Sequence, residues 1–127
     1  MPVTRAEVLR PWQAATADAL LVLGFAAAGR SSHQESQPVL GALLTAWPFL
    51  VGAAAGWALV RWRSGRWPQD DVGAGVPVWV GAVLVGMLLR AATGQGTALA
   101  FVLVATAVLG VFLLGWRALA ARFLTRE

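Results

Sequence analysis

The chain is 127 residues long; 58% of the residues are hydrophobic, 13% are charged, and the formal net charge is +4. A soluble domain carries about twice that charged fraction, and the apolar residues of this chain gather in four long blocks separated by short polar stretches. These features exclude a water-soluble globule and a disordered chain. They predict a small integral membrane protein in which residues 1–127 form a single transmembrane domain.

Cys and Lys do not occur in the chain, so all ten basic residues are Arg. The absence of thiols excludes a disulfide framework and a thiolate metal site, and the absence of primary side-chain amines excludes a retinal or pyridoxal Schiff base. We therefore expect no metal and no cofactor. The arginines lie at the ends of the apolar blocks, which is typical of membrane anchors, and we expect no nucleic-acid partner.

Four apolar blocks are long enough to cross a bilayer, which takes roughly 20 residues. In chain order they cover residues 12–29, 39–60, 76–92 and 97–116. Within lipid a helix satisfies its own backbone groups, and short connections force neighbouring helices to lie antiparallel. The sequence therefore predicts an all-α, integral membrane four-helix bundle with up-down-up-down topology, embedded in the lipid bilayer.

The arginines are distributed unevenly between the two sides of this bundle. Eight lie in the N-terminal tail, the middle loop and the C-terminal tail, whereas only Arg30 and Arg90 lie in the other two loops. By the positive-inside rule, both termini are expected to be cytoplasmic, in a multi-pass protein of the cell (inner) membrane. Six tryptophans fall near the predicted inner ends and are interpreted as interfacial anchors: Trp12, Trp57, Trp62, Trp67, Trp79 and Trp116.

A cleavable signal peptide is the alternative interpretation of the first block. Basic residues precede it, and Ala26-Ala27-Ala28 fits a small-residue cleavage pattern. Against cleavage, the apolar stretch is long and interrupted by Asp18, and its removal would leave three spans. Sequencing the N-terminus of the mature protein distinguishes the two interpretations.

A weak internal repeat relates the two halves of the chain. The segments 19–25 and 82–87 resemble each other, and Gly-Trp pairs at 56–57 and 115–116 both fall at inner ends of returning helices. Two parallel hairpins would produce this pattern. Segments of Ala, Gly, Val and Leu also imitate one another easily, so duplication and chance similarity both stay open.

Asp18 lies about 9 Å inside the predicted inner end of the first helix. A carboxylate at that depth is unfavourable by a few kcal/mol and usually faces protein or water. It is either a protonatable site for proton or cation coupling, or an interfacial residue paired with Arg61, Arg63 or Arg117 of a neighbouring helix. The pairing is favoured because four short helices hold Asp18 close to those arginines.

Trp47 and Pro48 stand in the middle of the second block, which has no charge. Proline removes an amide donor and leaves the carbonyl of Leu44 without its helical partner, so a kink is expected. Broken helices form substrate sites in transporters, but prolines are also tolerated in ordinary membrane helices. Both interpretations of the Trp47-Pro48 pair stay open.

Polar side chains gather in the two loops that are predicted on the outer side. The candidate ligand-binding residues there are Arg30, His33, Arg90, Gln95 and Thr97. Two guanidinium groups at one mouth suit a carboxylate or phosphate ligand; alternatively, each arginine only offsets the negative end of its helix. A single His without Cys disfavours a metal site, and neighbouring residues of one short loop rarely form a hydrolytic triad.

Gly52 and Gly56 form a GxxxG pattern in the second block. In lipid, small residues let helix backbones approach closely and drive association by packing. The pattern predicts a tight bundle, and it also allows a homo-oligomer or a larger membrane complex.

Several motifs together resemble a known family. They are Asp18, Phe25, Gly-Arg-Ser-Ser-His at 29–33, Thr-Ala-Trp-Pro-Phe-Leu at 45–50, Gly-Met-Leu-Leu-Arg at 86–90, Gly-Gln-Gly-Thr-Ala at 94–98 and Gly-Trp-Arg at 115–117. Their combination resembles the family named domain of unknown function 3054, small membrane proteins of actinobacteria and haloarchaea. The resemblance implies a four-span membrane protein and brings no known activity.

Three classes of function remain. A binding or assembly module of the cell membrane is favoured, and the alternative is a small oligomeric transporter or channel for an anionic or proton-coupled solute. A membrane enzyme is disfavoured because only His33 and Glu35 offer acid–base groups within reach of each other. A polar cavity from the outer mouth toward Pro48 would favour transport, and a solid core would favour assembly.

Overall fold

Four α-helices make up most of the computed structural model, which describes residues 9–31 and 38–123. They are α1 (Pro11–Ser31), α2 (Pro38–Ser64), α3 (Val72–Ala92) and α4 (Leu99–Phe123). All four are long and apolar enough to cross a membrane. The predicted all-α, multi-pass architecture is confirmed.

Helix α3 begins four residues before the predicted block because Asp71 caps it. Asp71 is extended, with φ −91° and ψ 142°, and its side chain accepts a hydrogen bond from the amide of Ala74 at 3.2 Å. The carboxylate thereby satisfies one of the amides that the start of a helix leaves without a partner. Pro77 consequently stands in the second turn of α3.

Helices α2 and α4 continue past the predicted ends of their blocks, to Ser64 and Phe123. The additional turns carry arginines, including Arg61 and Arg117. A charged residue lowers the local hydropathy, so the apolar blocks end before these arginines, but Arg is a good helix former. The polar ends of these two helices therefore stay helical.

The helices form a ring in which α1 packs on α2, α2 on α3, α3 on α4 and α4 on α1. Asp18 near the start of α1 contacts Trp57 near the end of α2 and Arg117 near the end of α4. At the opposite end, Phe25 of α1 packs on Phe101 near the start of α4. Neighbours are thus antiparallel, which confirms the up-down-up-down bundle. We call the end of the bundle that contains Asp18 the Asp18 end, and the opposite end, which contains the last turn of α3, the Arg90 end. Which end faces the cytoplasm stays a prediction.

The closest helix contact is between α2 and α3, and glycines make it. A Cβ atom on Gly56 would lie 2.5 Å from the carbonyl oxygen of Pro77, and one on Gly81 would lie 2.6 Å from the carbonyl oxygen of Gly52. Backbones can approach this closely only where a side chain is missing. The GxxxG pattern is therefore used within the chain, between α2 and α3.

A continuous apolar core fills the bundle between its two ends. Its fully buried members are Val22, Ala46, Phe49, Ala53, Val78, Ala82, Ala105, Leu109 and Leu113. Towards the Arg90 end, the rings of Phe25, Phe49 and Phe101 pack on one another with centroids 5.5, 6.1 and 6.2 Å apart. The core separates the polar groups of one end from those of the other.

Candidate functional site

Asp18 of α1 is paired with Arg117 of α4. Nη1 of the arginine donates to Oδ1 and Nη2 donates to Oδ2, each at 2.8 Å. Bidentate geometry of this kind is the strongest form of an arginine–carboxylate contact. Both side chains are 0% exposed. Of the three arginines that the sequence offered as partners, Arg117 makes the contact, and the pair lies inside the bundle and not at its interface with solvent.

Two tryptophans donate to the same carboxylate. Nε1 of Trp57 lies 2.9 Å from Oδ2 of Asp18, and Nε1 of Trp116 lies 2.9 Å from Oδ1. The sequence predicts that both tryptophans are interfacial anchors; in the structure their indole N–H groups donate to a buried carboxylate. Trp12 and Trp62 are 64% and 79% exposed, and their role as interfacial anchors stays a prediction.

Arg117 also holds the connection between α2 and α3. Its Nε donates to the carbonyl oxygen of Gln69 at 2.8 Å, and the side chain of Gln69 donates to the carbonyl oxygen of Leu9 at 2.7 Å. Gly75 of α3 leaves room for the arginine, because a Cβ atom there would lie 2.7 Å from Cδ of Arg117. All four helices therefore meet around the Asp18–Arg117 pair.

The chemistry of this pair is that of a fixed ion pair. An isolated charge costs several kcal/mol to bury, so a buried pair persists only where the geometry is good and hydrogen bonds satisfy the other polar positions. Asp18 accepts four hydrogen bonds, two from Arg117 and one from each indole. A carboxylate offers about four acceptor positions, so those of Asp18 are occupied by protein donors.

Trp57, Trp116 and Gln69 were missed as members of this site by the sequence analysis. The available signal was the repeated Gly-Trp pair at 56–57 and 115–116. It placed two indoles at equivalent depths on two helices, at the end of the bundle where Asp18 lies. An indole N–H that is partly buried usually has a hydrogen-bond partner, so the repeat could have indicated donors to the one acidic residue within the spans.

Pro48 is fully buried, and α2 continues as a helix through it. Trp47 is half-buried. Neither residue is among those that line a cleft that opens beside Arg90. The kink expected at Pro48 and a ligand-binding role for the Trp47-Pro48 pair both stay predictions.

Arg90 lies in the last turn of α3 and holds the connection to α4. Its Nε donates to the carbonyl oxygen of Gly96 at 2.9 Å, its Nη2 to the carbonyl oxygen of Gln95 at 2.9 Å, and its Nη1 to Oε1 of Gln95 at 3.3 Å. Gly94 and Gly96 have φ values of 74° and 95°, which favour glycine. The Gly-Gln-Gly sequence thus shapes the loop that receives Arg90. Thr97, predicted beside them, is exposed.

The other half of the predicted outer mouth lies outside the described residues. This holds for His33 and for the side chain of Arg30, so a meeting of the two guanidinium groups stays a prediction. Within 9–31 and 38–123, no group of three or more His, Asp or Glu residues could hold a metal ion.

A cleft of about 410 Å³ opens beside Arg90. All four helices contribute to it, with Phe25, Thr45, Arg90, Ala100, Phe101 and Val104 among the lining residues. The guanidinium carbon of Arg90 lies 4.4 Å from the centroid of the Phe101 ring. One cation and one hydroxyl in an otherwise apolar wall are typical of a small-molecule site, and the volume falls within the usual range.

A family described as a protein of unknown function (DUF3054) matches residues 15–120. The chain belongs to the DUF3054 family. The matched segment includes Asp18, Arg90 and Arg117, so the ion pair and the cleft both lie within the DUF3054 domain, and the resemblance indicated by the motifs is confirmed. No curated protein and no solved structure matches the chain.

Proposed function

We propose that this DUF3054 protein is a binding or assembly module of the cell membrane, and not a transporter or a channel. The observation that carries the proposal is the closed apolar core between the Asp18 end and the Arg90 end. Pro48, Phe49 and Leu109 are fully buried in that core, and the residues that line the cleft beside Arg90 do not include Asp18.

A transporter coupled to Asp18 would need this carboxylate to exchange a proton or a cation with each side of the membrane in turn. Asp18 instead accepts four protein hydrogen bonds, and both it and Arg117 are 0% exposed. An occupied carboxylate supports a fixed role in the bundle. It therefore supports a binding module over the proton-coupled alternative.

Assembly with a second copy or with a larger complex would use surfaces that are not already buried by contacts between the four helices. Gly52 and Gly56 of α2 face α3 and are already in contact with it. A groove between α3 and α4 remains, in which Gly115 is open: a Cβ atom there would meet nothing within 4 Å. Small residues on a lipid-facing surface allow close approach of another helix, so α4 is the helix that we assign to assembly.

Reconstitution into sealed liposomes tests the proposal. Wild-type protein is inserted into vesicles that contain a pH-sensitive dye, and proton flux is followed under an imposed pH gradient and membrane potential. We expect the flux to equal that of protein-free vesicles. A protein-dependent flux that is lost in a folded Asp18→Asn variant would overturn the proposal in favour of a transporter. Asp71→Asn is the matched control, because Asn is also a good helix cap, and it should retain any such flux.

A further inference from the structure

We propose that the cleft beside Arg90 binds a membrane lipid with an anionic phosphate head group, with the phosphate on Arg90 and an acyl chain along the wall formed by Phe25 and Phe101. The inference rests on the proposed binding function and names the class of ligand for it. Three observations carry it: the charge of Arg90, the apolar wall and the depth of the cleft.

The positive charge of Arg90 is not neutralised by any carboxylate in the part of the chain that the structure describes. The acidic residues described there all lie at the other end of the bundle: Asp18, Asp70 and Asp71. The three hydrogen bonds of Arg90 go to neutral oxygens of Gln95 and Gly96. They use three of the five N–H donors of a guanidinium, which leaves donors and a full charge for an anion such as a phosphate.

The wall of the cleft does not suit a small, fully hydrated anion. Phe25 and Phe101 pack with their ring centroids 6.2 Å apart, and Ala100 and Val104 extend the apolar surface along α4. A hydrated phosphate entering such a site would lose water without gaining enough hydrogen bonds. A molecule with one charged end and a hydrocarbon chain satisfies both parts of the cleft at once.

The depth of these groups matches the depth of the parts of a lipid. Arg90 is close to the end of the 21-residue helix α3, which places it about 27 Å along the helix axis from Val72, near the far edge of a hydrocarbon layer of about 30 Å. Phe25 is six residues before the end of α1, which places it roughly 9 Å inside that helix end. The cation therefore lies at the level of head groups, on the ring of Phe101, and the wall continues from Phe101 to Phe25, at the level of acyl chains.

Native mass spectrometry of the full chain in mild detergent tests the inference. The protein is titrated with three ligands. Phosphatidylglycerol is the anionic lipid, phosphatidylcholine is a control lipid whose choline cation would be repelled by Arg90, and inorganic phosphate is a control without an acyl chain. We expect phosphatidylglycerol to bind more tightly than either of the others. Arg90→Gln should weaken its binding by about tenfold, because a charge-assisted hydrogen bond is lost.

A second variant tests the cleft without removing its charge. Ala100→Phe fills the cleft, and Ala100 takes part in none of the hydrogen bonds of Arg90. The variant should therefore weaken phosphatidylglycerol binding at least as much as Arg90→Gln. Ala107→Phe makes the same change on the same helix but in the groove between α3 and α4. Arg63→Gln removes an equal charge at the Asp18 end. Both controls should stay within about twofold of wild type, because neither residue lines the cleft.

Several results would overturn the inference. These are equal affinities in wild type and Ala100→Phe, a loss of binding in Arg63→Gln in place of Arg90→Gln, and inorganic phosphate binding as tightly as phosphatidylglycerol. A dimer that forms in the same spectra and is broken by Ala100→Phe, without lipid-bound species, would assign the cleft to a second copy. Ala100→Phe decides the outcome even where Arg90→Gln unfolds the loop. Lipid binding and proton flux in liposomes are measured independently. Failure of this inference is therefore distinguishable from failure of the proposed function.

Discussion

Asp18 and Arg117, 99 residues apart in the chain, join the first helix to the last by two parallel hydrogen bonds of 2.8 Å. No short connection links α1 to α4, so this ion pair holds the two helices together where a loop holds the other neighbouring helices. Trp57 of α2 also donates to Asp18, and Arg117 donates to Gln69 in the connection between α2 and α3. The relative position of all four helices at the Asp18 end is thereby fixed around one carboxylate.

Replacement of Trp57 or Trp116 by Phe tests the two indole donors. Each change keeps an aromatic ring and leaves one acceptor position of a buried carboxylate unsatisfied, so we expect the free energy of unfolding to fall by about 1–3 kcal/mol. Thermal denaturation in detergent measures the difference. Trp62→Phe, at a side chain that is 79% exposed, is the matched control and should be neutral; equal stability of all three variants would show that the indole donors do not support the pair.

Gly56→Ala tests the contact between α2 and α3. The new Cβ atom would lie 2.5 Å from a backbone oxygen, which cannot move aside as a flexible side chain could, so we expect a loss of about 1–3 kcal/mol from overpacking. Gly24→Ala is the control within α1, because a Cβ atom there meets nothing within 4 Å. It should be neutral or stabilising by about 0.5–1 kcal/mol, as Ala is favoured over Gly inside a helix. A Gly56→Ala variant as stable as Gly24→Ala would contradict the close approach.

The orientation of the bundle is testable with reporter fusions. The sequence predicts eight of the ten arginines on the side of both termini, so we expect reporters on the N-terminus and on the C-terminus to be active only in the cytoplasm. A C-terminal reporter that is active outside the cytoplasm would contradict the orientation. The up-down-up-down order of the helices would stand in that case, since it depends on contacts such as that of Phe25 with Phe101 and not on the side that each end faces.

The number of helices and their antiparallel order could be predicted from the sequence, because both depend on local composition and on short connections. The helix ends were less predictable. Hydropathy falls at Arg61 and Arg117 although the helices continue, and the cap at Asp71 adds a turn to α3 that hydropathy alone does not indicate.

The partner of Asp18 could not be predicted, since Arg61, Arg63 and Arg117 were all plausible by depth. The rotation of each helix about its axis decides which arginine points inward, and that rotation depends on packing over the whole bundle. The hydrogen bonds of Arg90 could not be predicted either. The sequence placed Arg90 and Gln95 near each other, but the positive φ values of the glycines shape the loop that Arg90 binds.

A double-mutant cycle between Asp18 and Arg117 tests most directly whether Asp18 is a fixed part of the bundle. Asp18→Asn and Arg117→Gln should each lower the free energy of unfolding by about 3–5 kcal/mol, because each leaves the other charge buried without its partner. The double variant should lose less than the two losses added together, by about 0.5–3 kcal/mol. Denaturant titration in mixed micelles gives these values, and Arg122→Gln, an exposed arginine further along α4, should change stability by less than about 0.5 kcal/mol. Single variants as stable as wild type, or losses that simply add, would contradict the pairing and leave Asp18 available for proton coupling.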